Sequence, residues 1–385
     1  MRIGVDIRCL MDGKRTGVEE YTLGVLRAML ALGTDDTFVL FANSRKPMRL
    51  PLFPAPNVDV CAFSYPNKLF NAALKIARGP NLDRLLGGVD VLFVPSVRLV
   101  PRSSHCPLVV TFHDLSFVRH PSYFSPHRRV WHWLMEPERL ARGATRIIAV
   151  SQATAWDVGQ LYSVPQERIH VVYSGIGGHM QPVDRTTTAA RRVQEQYRLP
   201  KQFVLFLGTL EPRKNLRGLL DAYMAVRRAG VQHHLVLAGV RGWIDETFFQ
   251  HVQESPYAED VHFTGFVEDG DKPALYSLAD LFVYPSFYEG FGFPPLEALA
   301  CGTTVITSYN SAIPEVAGSW ATLVNPYDTN ELAAVMAEHL RTPTRVPAPT
   351  SNAIRQQYGW ERAGRETLSI LRSVAQRSLP SYRRV

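Results

Sequence analysis

Two carboxylates flank a glycine–aromatic turn in the segment Tyr288-Glu289-Gly290-Phe291-Gly292-Phe293-Pro294-Pro295-Leu296-Glu297-Ala298. An apolar run, Asp280–Pro285, comes just before it and predicts a short buried strand that ends at a proline. The whole stretch therefore predicts a strand, a glycine-rich loop and the start of a helix. Unpaired N–H groups and the positive dipole end at a helix start can hold a phosphate.

The two acids of this segment, Glu289 and Glu297, are separated by seven residues. They would repel a phosphate, but carboxylate oxygens accept hydrogen bonds from neutral hydroxyl groups, such as those of a hexose and a ribose. A nucleotide-sugar carries all three groups, so the segment favours a site for such a molecule. The alternative is an ordinary helix start, because acidic residues are favourable at that end of any helix.

The segment resembles the E-x7-E motif of retaining glycosyltransferases of the GT-B fold, a GT4-like family that includes bacterial mannosyl- and rhamnosyltransferases. The resemblance implies that Glu289 lies against the transferred hexose and that Glu297 binds the nucleotide ribose. It also implies that Phe291, Gly292 and Phe293 belong to the donor-binding loop.

A second motif is the stretch Phe206-Leu207-Gly208-Thr209-Leu210-Glu211-Pro212-Arg213-Lys214-Asn215, which predicts a strand, a turn and a helix start. Arg213 offers a planar fork of donors and Lys214 a compact charge, so the pair can neutralise a departing diphosphate. The stretch resembles the G-T-x-x-x-R-K-N pattern of the same family. That resemblance implies that Arg213 and Lys214 hold the donor diphosphate and that Thr209 belongs to the site. The alternative is a solvated turn with two cations.

A third loop, Asp12–Glu19, follows the first predicted strand and could place backbone N–H groups near a phosphate. It lacks the G-x-G-x-x-G pattern of dinucleotide oxidoreductases. Members of the family usually have a Gly-Gly pair here, whereas this chain has Thr16-Gly17. The resemblance therefore assigns only Gly17 to the donor site.

A histidine, His113, stands at the carboxyl end of the predicted strand Leu108–Phe112. The matching histidine of the family lies beside the hydroxyl groups of the donor sugar. By resemblance, His113 could donate to a sugar oxygen while Asp114 fixes its tautomer or caps the loop. The alternative is a structural histidine.

The sequence Asp269-Gly270-Asp271 matches the D-x-D pattern of metal-binding glycosyltransferases of a different architecture. It precedes a predicted helix, so helix capping by an acid explains it better. No His/Cys cluster has the spacing of a zinc site. We therefore expect no required metal and no cofactor beyond the nucleotide-sugar substrate.

Short apolar runs alternate with helical patterns along the chain, as in doubly wound α/β folds. The predicted strands are Ile3–Ile7, Thr37–Phe41, Val58–Ala62, Val89–Val94, Leu108–Phe112, Arg146–Val150, Ile169–Tyr173, Phe203–Leu207, Leu235–Ala238, Val261–Gly265, Leu281–Tyr284 and Thr304–Thr307. The predicted helices include Glu19–Leu32, Pro126–Ala141, Ala153–Leu161 and Asn215–Arg228, with Ser151 as an N-cap. This order predicts two Rossmann-like domains that face each other across a cleft.

The alternation of strand and helix patterns is interrupted between the two domains by a stretch rich in Gly, Pro and Thr. We predict an N-terminal acceptor domain over 1–178, a linker over 179–200 and a nucleotide-sugar donor domain over 201–357. The resemblance to the GT-B family implies that 358–385 crosses back onto the N-terminal domain.

The composition describes a well-cored chain of 385 residues, with 46% hydrophobic and 20% charged residues. Four scattered cysteines form no CxxC pair, and neither a signal peptide nor an apolar run of membrane-spanning length is evident. We therefore expect a cytoplasmic location and no nucleic-acid partner.

The charge is unevenly placed. Residues 1–178 hold 21 Lys and Arg against 14 Asp and Glu, whereas 179–357 hold 15 against 19. The basic N-terminal domain predicts an anionic partner, either the inner membrane surface or a lipid-diphosphate-linked acceptor. Simple solubility is the alternative.

One stretch combines aromatic rings with cations: Tyr123, Phe124, Arg128, Arg129, Trp131, His132 and Trp133. Such a mixture suits a lipid–water interface. A core helix with a solvated arginine face is the alternative, and the sequence favours it slightly.

Together the motifs imply a retaining, metal-independent hexosyltransferase. By resemblance it would move mannose or D-rhamnose from a GDP-linked donor to a hydroxyl of a growing bacterial polysaccharide, such as O-antigen, or of a lipid-linked glycan. The alternatives are a UDP-sugar-dependent transferase of the same fold, a GT-B nucleotide-sugar epimerase, and a catalytically silent nucleotide-sugar-binding protein.

Overall fold

The computed structural model describes residues 1–11, 17–33, 35–45, 53 and 55–378, which form two compact units. The first unit contains Met1–Leu115, Pro126–Gly175 and the stretch from Gly359 onward. The second contains Ser116–Ser125 and Ile176–Tyr358. The loop Asp12–Thr16 and the last residues of the predicted C-terminal crossover, 379–385, lie outside the described residues.

The described part of the first unit is built on a seven-stranded parallel sheet. Its strands are β1 (Arg2–Asp6), β2 (Thr37–Asn43), β3 (Val58–Phe63), β4 (Val91–Val94), β5 (Leu108–Phe112), β6 (Arg146–Ala149) and β7 (Ile169–Val171). Their order across the sheet is β3-β2-β1-β4-β5-β6-β7. Strands β1 to β3 are added toward one edge of the sheet and β4 to β7 toward the other, so the strand order reverses between β1 and β4. The central strands β1, β4 and β5 are almost wholly buried, as expected for a parallel sheet covered by helices.

The second unit has a six-stranded parallel sheet in its described residues. Its strands are β8 (Phe203–Leu207), β9 (His234–Ala238), β10 (Val261–Gly265), β11 (Leu281–Tyr284), β12 (Val305–Ser308) and β13 (Thr322–Val324). Their order across the sheet is β10-β9-β8-β11-β12-β13. Strands β8 to β10 are added toward one edge and β11 to β13 toward the other, so the strand order reverses between β8 and β11. Both sheets thus confirm the predicted Rossmann-like class. The sequence missed β13, because three residues with one buried side chain give no periodic pattern.

The α-helices follow the strands in alternation. They are α1 (Gly17–Ala31), α2 (Asn67–Ala72), α3 (Leu82–Leu85), α4 (Ser116–Arg119), α5 (Pro126–Leu134), α6 (Pro137–Gly143), α7 (Gln152–Tyr162), α8 (Thr188–Gln196), α9 (Leu216–Arg228), α10 (Glu246–Glu254), α11 (Lys272–Leu278), α12 (Phe293–Ala300), α13 (Ile313–Val316), α14 (Thr329–Arg341), α15 (Ala348–Gln357) and α16 (Trp360–Ser378). A π-helical turn, Ala73–Ala77, continues α2. Among the residues described, none of these helices combines the length and apolarity needed to cross a membrane.

Two helix predictions were tested directly. The predicted N-cap Ser151 is confirmed, since its side chain accepts a hydrogen bond from Thr154 N at the start of α7. The single helix predicted over Pro126–Ala141 was wrong, because α5 and α6 are separate. Glu136 between them has a left-handed φ of 49°, and Pro137 disfavours helical geometry in the residue before it.

The stretch 179–200, which the sequence predicted as a linker, contains helix α8 and belongs to the second unit. Thr187 caps this helix, Ala190 and Val193 are buried, and Arg192 pairs with Asp271. The sequence did not indicate α8 because only two of its residues are buried, and so narrow an apolar face gives little helical periodicity.

The C-terminal helix α16 belongs to the first unit and packs along α1. Gly24 of α1 leaves room for the Trp360 ring, since a Cβ atom built at Gly24 would lie 2.2 Å from a ring carbon. At the other end, Arg372 of α16 pairs with Asp36 at 2.8 Å. Helix α16 is therefore part of the first unit's core.

Candidate functional site

The site lies at the carboxyl ends of the adjacent strands β8 and β11. The strand order of the second sheet reverses between them, so this place is the strand switch point of the sheet. Loops that leave such a pair diverge and form a crevice that commonly binds ligands. The loop after β8 contains a 3-10 turn with Arg213 and Lys214, and the loop after β11 contains Glu289. A backbone hydrogen bond of 2.9 Å, from Phe287 N to Arg213 O, ties the two loops together.

Arg213, Lys214 and Glu289 form one buried ion cluster. Lys214 Nζ lies 2.6 Å from Glu289 Oε1, and Arg213 Nη1 lies 2.8 Å from Glu289 Oε2. Arg213 also pairs with Glu211 at 2.7 Å and donates to the Tyr288 carbonyl at 2.6 Å. The structure thus brings together the cations that the sequence assigned to a diphosphate and the acid that it assigned to a hexose.

The electrostatics of this ion cluster follow from burial opposed by close charges. Burial alone would raise the pKa of Glu289, but the charges of Arg213 and Lys214 overcome it and lower the pKa to about 2. Burial and the neighbouring Arg213 lower the pKa of Lys214, although Glu289 opposes them. Lys214 also donates to Tyr284 Oη at 2.5 Å, and burial raises the pKa of that tyrosine well above its usual value.

Glu297 occupies a different environment, inside helix α12. It is 1% exposed, and its Oε2 accepts a hydrogen bond of 2.7 Å from the buried Tyr276 hydroxyl. Lys272 Nζ lies 3.8 Å from Glu297 Oε1. The two acids of the E-x7-E motif therefore have separate partners, and their assignment to a hexose and a ribose stays a prediction.

The glycine-rich loop is held in one conformation. Gly292 has a φ of 98°, and a Cβ atom there would lie 2.6 Å from Ile313 Cδ1, so a larger residue would be strained. Phe291 is buried and packs on Phe293 and Tyr358, with ring centroids 5.1 and 5.9 Å away. Its side chain therefore supports the loop from beneath, and any ligand contact by Phe291 would use its backbone.

The start of α12 is a weaker phosphate site than the sequence suggested. Pro294 and Pro295 occupy the first turn, and proline has no backbone N–H to donate. Two of the donors that a helix start usually offers are thus missing. The assignment of the donor phosphates to Arg213 and Lys214 stays a prediction.

Thr209 and Gly17 stand in less informative places. Thr209 is partly exposed in the loop after β8, between the strand and the turn that contains Arg213. Gly17 begins α1 in the first unit, and the residues of its loop before it are outside the described part of the chain. Their assignments to the donor site stay predictions.

His113 follows β5 in the first unit, and its tautomer is fixed by a group that the sequence did not suggest. Nε2 lies 2.8 Å from the Pro95 carbonyl oxygen and must donate to it, which leaves Nδ1 as an acceptor. Burial lowers the pKa of His113, so the ring is neutral near pH 7. The Pro95 carbonyl therefore sets the tautomer rather than Asp114, and His113 can accept a bond from a sugar hydroxyl through Nδ1.

The D-x-D residues are engaged by the protein itself. Asp271 is the N-cap residue of α11, but its side chain makes no capping bond, so capping by this acid is not observed. Its carboxylate binds Arg192, Gln196 and Tyr197, whereas Asp269 binds Lys272 and His179. Over the described residues, no group of three or more His, Cys, Asp or Glu side chains is placed to hold a metal ion.

Several residues beside the ion cluster were not found from the sequence. The segment Ser116–Ser125 packs in the second unit, where Tyr123 stacks on Phe287 with centroids 5.7 Å apart and His120 meets Tyr288 at 5.5 Å. Trp243 Nε1 donates to the Tyr123 carbonyl at 2.6 Å. These contacts join positions far apart in the chain, so no local pattern indicates them.

The chain is similar in sequence to known glycosyltransferases. Residues 15–177 match the model of Glycosyltransferase Family 4, and residues 188–357 match that of Glycosyl transferases group 1. The O-antigen chain mannosyltransferase B of Escherichia coli is 34% identical over 265 residues, which cover 68% of this chain and 69% of that protein. A serotype-specific mannosyltransferase WbdA of Escherichia coli is 32% identical over 200 residues, which are 51% of this chain but only 24% of that one.

A solved structure with the same fold is the sucrose-phosphate synthase of Thermosynechococcus elongatus. It has a TM-score of 0.75 at 20% identity, and the match covers 98% of this chain and all of that one. This likeness shows the fold alone. Taken with the family models and the relative that is aligned over two thirds of its length, it shows that this chain belongs to the GT-B glycosyltransferases, with a family 4 N-terminal half and a group 1 C-terminal half.

Proposed function

We propose that this glycosyltransferase moves mannose, or the related D-rhamnose, from a GDP-linked donor to a hydroxyl group of a growing bacterial polysaccharide or lipid-linked glycan. The anomeric configuration is retained and no metal is required. The enzyme works on the cytoplasmic side of the inner membrane, in peripheral contact with it. The mannosyltransferase names of the relatives support the choice of sugar.

The observation that carries the proposal is the pairing of Arg213 and Lys214 with Glu289. Arg213 and Lys214 are paired with two carboxylates, Glu289 and Glu211, and they lie at the strand switch point, where a ligand is expected. A nucleotide-sugar diphosphate would bind these cations in competition with the two acids. Negative charge on the leaving diphosphate grows as the glycosidic bond breaks, so both cations stabilise the transition state more than the bound substrate.

The remaining roles follow from the positions of the acids. Glu289 is next to the cations and can accept a hydroxyl of the hexose attached to the diphosphate. Glu297 would accept from the ribose through Oε1, the oxygen that Tyr276 does not bind and that lies 3.8 Å from Lys272 Nζ. Glu289 would be a very weak general base, because its pKa is about 2, so we assign it to hydroxyl recognition alone.

Ranking of nucleotides by thermal shift tests the donor. A ligand that binds the native state raises its stability according to its concentration relative to Kd. We expect GDP to raise Tm more than UDP, dTDP or ADP at equal concentration, and the rank should persist in excess EDTA. A larger shift with UDP would favour the UDP-sugar transferase, and a shift that requires Mg²⁺ would contradict metal independence.

An assay with GDP-mannose, with and without a mannosylated lipid acceptor, tests the reaction. Transfer predicts sugar release only with the acceptor, and NMR of the product should show an α-linkage that retains the donor configuration. Donor turnover without an acceptor would favour an epimerase. Tight nucleotide binding without turnover in either mixture would favour a silent binding protein.

A further inference from the structure

The first unit contains a second charged site, which none of the sequence motifs touches. It is a cavity of about 330 Å³ beside Leu108, the first residue of β5. Its charged lining consists of Arg78, Arg98, Arg102, Arg139 and Glu136. Its apolar wall includes Leu74, Met135 and Leu140. The lining thus has four guanidinium groups and one carboxylate, and two further acids interact with it, Asp6 with Arg98 and Asp83 with Arg102. The excess of positive charge is concentrated at Arg78 and Arg139, which share Glu136.

The single acid in the cavity is shared by several cations. Glu136 lies 2.7 Å from Arg78, 3.4 Å from Arg139 and 3.9 Å from Lys75. The hydrogen bond from Arg78, more than any other influence, lowers the pKa of Glu136. One carboxylate cannot balance these charges, so a further anion with several acceptor oxygens would be attracted here.

Arg102 gives the cavity a charge that is fixed in its wall. Its guanidinium donates to the carbonyl groups of Cys106 and Gly143, at 2.7 and 2.8 Å. Burial lowers the pKa of Arg102, which means that desolvation of this cation is costly. A bound phosphate would offset that cost.

The rim of the cavity is apolar and unusually exposed. The rim is the exposed surface of two elements that adjoin the cavity. One is the π-helical turn Ala73–Ala77, whose Leu74 lines the cavity, and the other is α5, which has no buried residue and is followed by the lining residue Met135. Ile76 is 83% exposed, Trp133 73% and Val130 55%. The core-helix interpretation of this stretch was therefore wrong, and the aromatic and basic residues of α5 face outward.

Lys75 joins the rim to the cavity. Its Nζ lies 4.7 Å from the centroid of the Trp133 ring and 3.1 Å from the Leu134 carbonyl oxygen, and it shares Glu136 with the cavity arginines. Exposed cations stand nearby in the chain, Lys68 on α2 and Arg128 and Arg129 on α5. Large apolar side chains beside exposed Lys and Arg are the composition of a surface that enters the headgroup region of a bilayer.

We propose that this rim lies on an anionic phospholipid membrane and that the arginine cavity binds the phosphate headgroup of one of its lipids. The inference rests on the proposed function and deepens its membrane contact by naming the surface and the chemical group. Ile76, Val130 and Trp133 enter among the lipid chains, while the headgroup phosphate replaces solvent between Arg78, Arg102 and Arg139.

Vesicle sedimentation of the full chain tests this inference. The protein should pellet with vesicles of phosphatidylcholine mixed with phosphatidic acid at low salt, and much less with phosphatidylcholine alone. An Arg78→Gln/Arg139→Gln double variant should lose about fivefold in affinity for each charge, and only for the anionic vesicles. Trp133→Ser should lose about tenfold, because a large apolar side chain no longer leaves water.

Two variants of the same unit serve as matched controls. Trp156→Ser removes another exposed tryptophan, from α7, and Arg27→Gln removes another exposed arginine, from α1. Both should bind vesicles like the wild type. Equal binding to neutral and anionic vesicles, or an equal loss in the controls, would overturn the proposal. The GDP thermal shift of every variant should be unchanged, so failure of vesicle binding with an intact shift rejects this inference and the membrane contact but not the proposed sugar transfer.

Discussion

Lys214 is the residue on which the proposed chemistry depends most, because its ammonium group lies between the Glu289 carboxylate and the Tyr284 hydroxyl. Replacement of Lys214 or Arg213 by Ala should lower kcat by about 10²–10³-fold, since each removes a charge that stabilises the leaving diphosphate. Sugar recognition, measured as the ratio of turnover with two GDP-sugars, should change far less. Steady-state kinetics check both quantities.

Arg217→Ala is the matched control for these two variants. Arg217 stands three residues beyond Lys214, is 45% exposed and pairs with Asp245 at the surface. It should keep wild-type turnover. If Lys214→Ala and Arg213→Ala keep it as well, the role assigned to the cations is wrong.

The two acids of the E-x7-E motif should separate in nucleotide binding. Glu297→Gln should weaken binding of free GDP by about 1.5–3 kcal/mol, because a ribose hydroxyl loses a charged acceptor. Glu289→Gln should not weaken it, since the substitution releases Arg213 and Lys214 for the diphosphate. Calorimetry with GDP measures both, and an equal loss in the two variants contradicts the division of roles.

The Glu289 carboxyl also predicts how stability changes in acid. Burial raises its pKa, but Arg213 and Lys214 bring it from the usual 4.5 down to about 2. A carboxyl group with a lowered pKa stabilises the fold at every pH above its pKa in the unfolded state. This stabilisation, about 3 kcal/mol, is lost as the pH falls from about 4.5 toward 2. The free energy of unfolding, measured with urea, should therefore differ less between the wild type and Glu289→Gln at pH ~3 than at pH ~7, with the wild type the more stable. A constant difference would argue against the ion cluster.

At the residue scale, sequence motifs found the charged groups but not their partners. Arg213, Lys214 and Glu289 stand in local patterns, so their proximity to a strand switch point could be predicted. The direct pairing of Glu289 with both cations joins distant parts of the chain and has no local signal. The Pro95 carbonyl that fixes the His113 tautomer was missed for the same reason.

At the scale of elements, most strands could be predicted because buried parallel strands are continuous apolar runs of β-branched and aromatic residues. The strand β8, Phe203–Leu207, has the bounds that the sequence indicated. Elements with a narrow apolar face gave weaker signals, as in α8. The exposed helix α5 was assigned to the core because its aromatic residues resemble core residues in composition, and only its burial distinguishes them.

The N-cap of α7 gives a prediction at this scale. Ser151 is fully buried, and its Oγ accepts from Thr154 N at 3.0 Å. Ser151→Ala should lower the free energy of unfolding by about 1 kcal/mol, because the N–H of Thr154 loses its partner. Urea denaturation measures it, with Ser151→Asp as a variant that keeps an acceptor. A loss in the Asp variant as large as in the Ala variant would mean that packing, not capping, makes Ser151 important.

At the scale of the whole molecule, the chain leaves the first unit and returns to it. Helix α16 contributes buried Leu368, Leu371 and Val374 to the first unit, although most of the intervening chain belongs to the second. Removal of a buried leucine side chain typically costs about 2–5 kcal/mol. Leu371→Ala should therefore destabilise the first unit selectively.

Hydrogen exchange measured by peptide can separate the two units in the Leu371→Ala variant. Peptides of α1 and β1 should exchange faster than in the wild type, while those of β8 and β11 should keep their protection. GDP should still raise the protection of the loops around Arg213 and Glu289, because those residues lie wholly in the second unit. Arg365→Ala, an exposed change on the same helix, is the control and should leave both units unchanged. Faster exchange spread equally over both units would show that they unfold together, and the return of the chain through α16 would then stabilise the molecule as a whole.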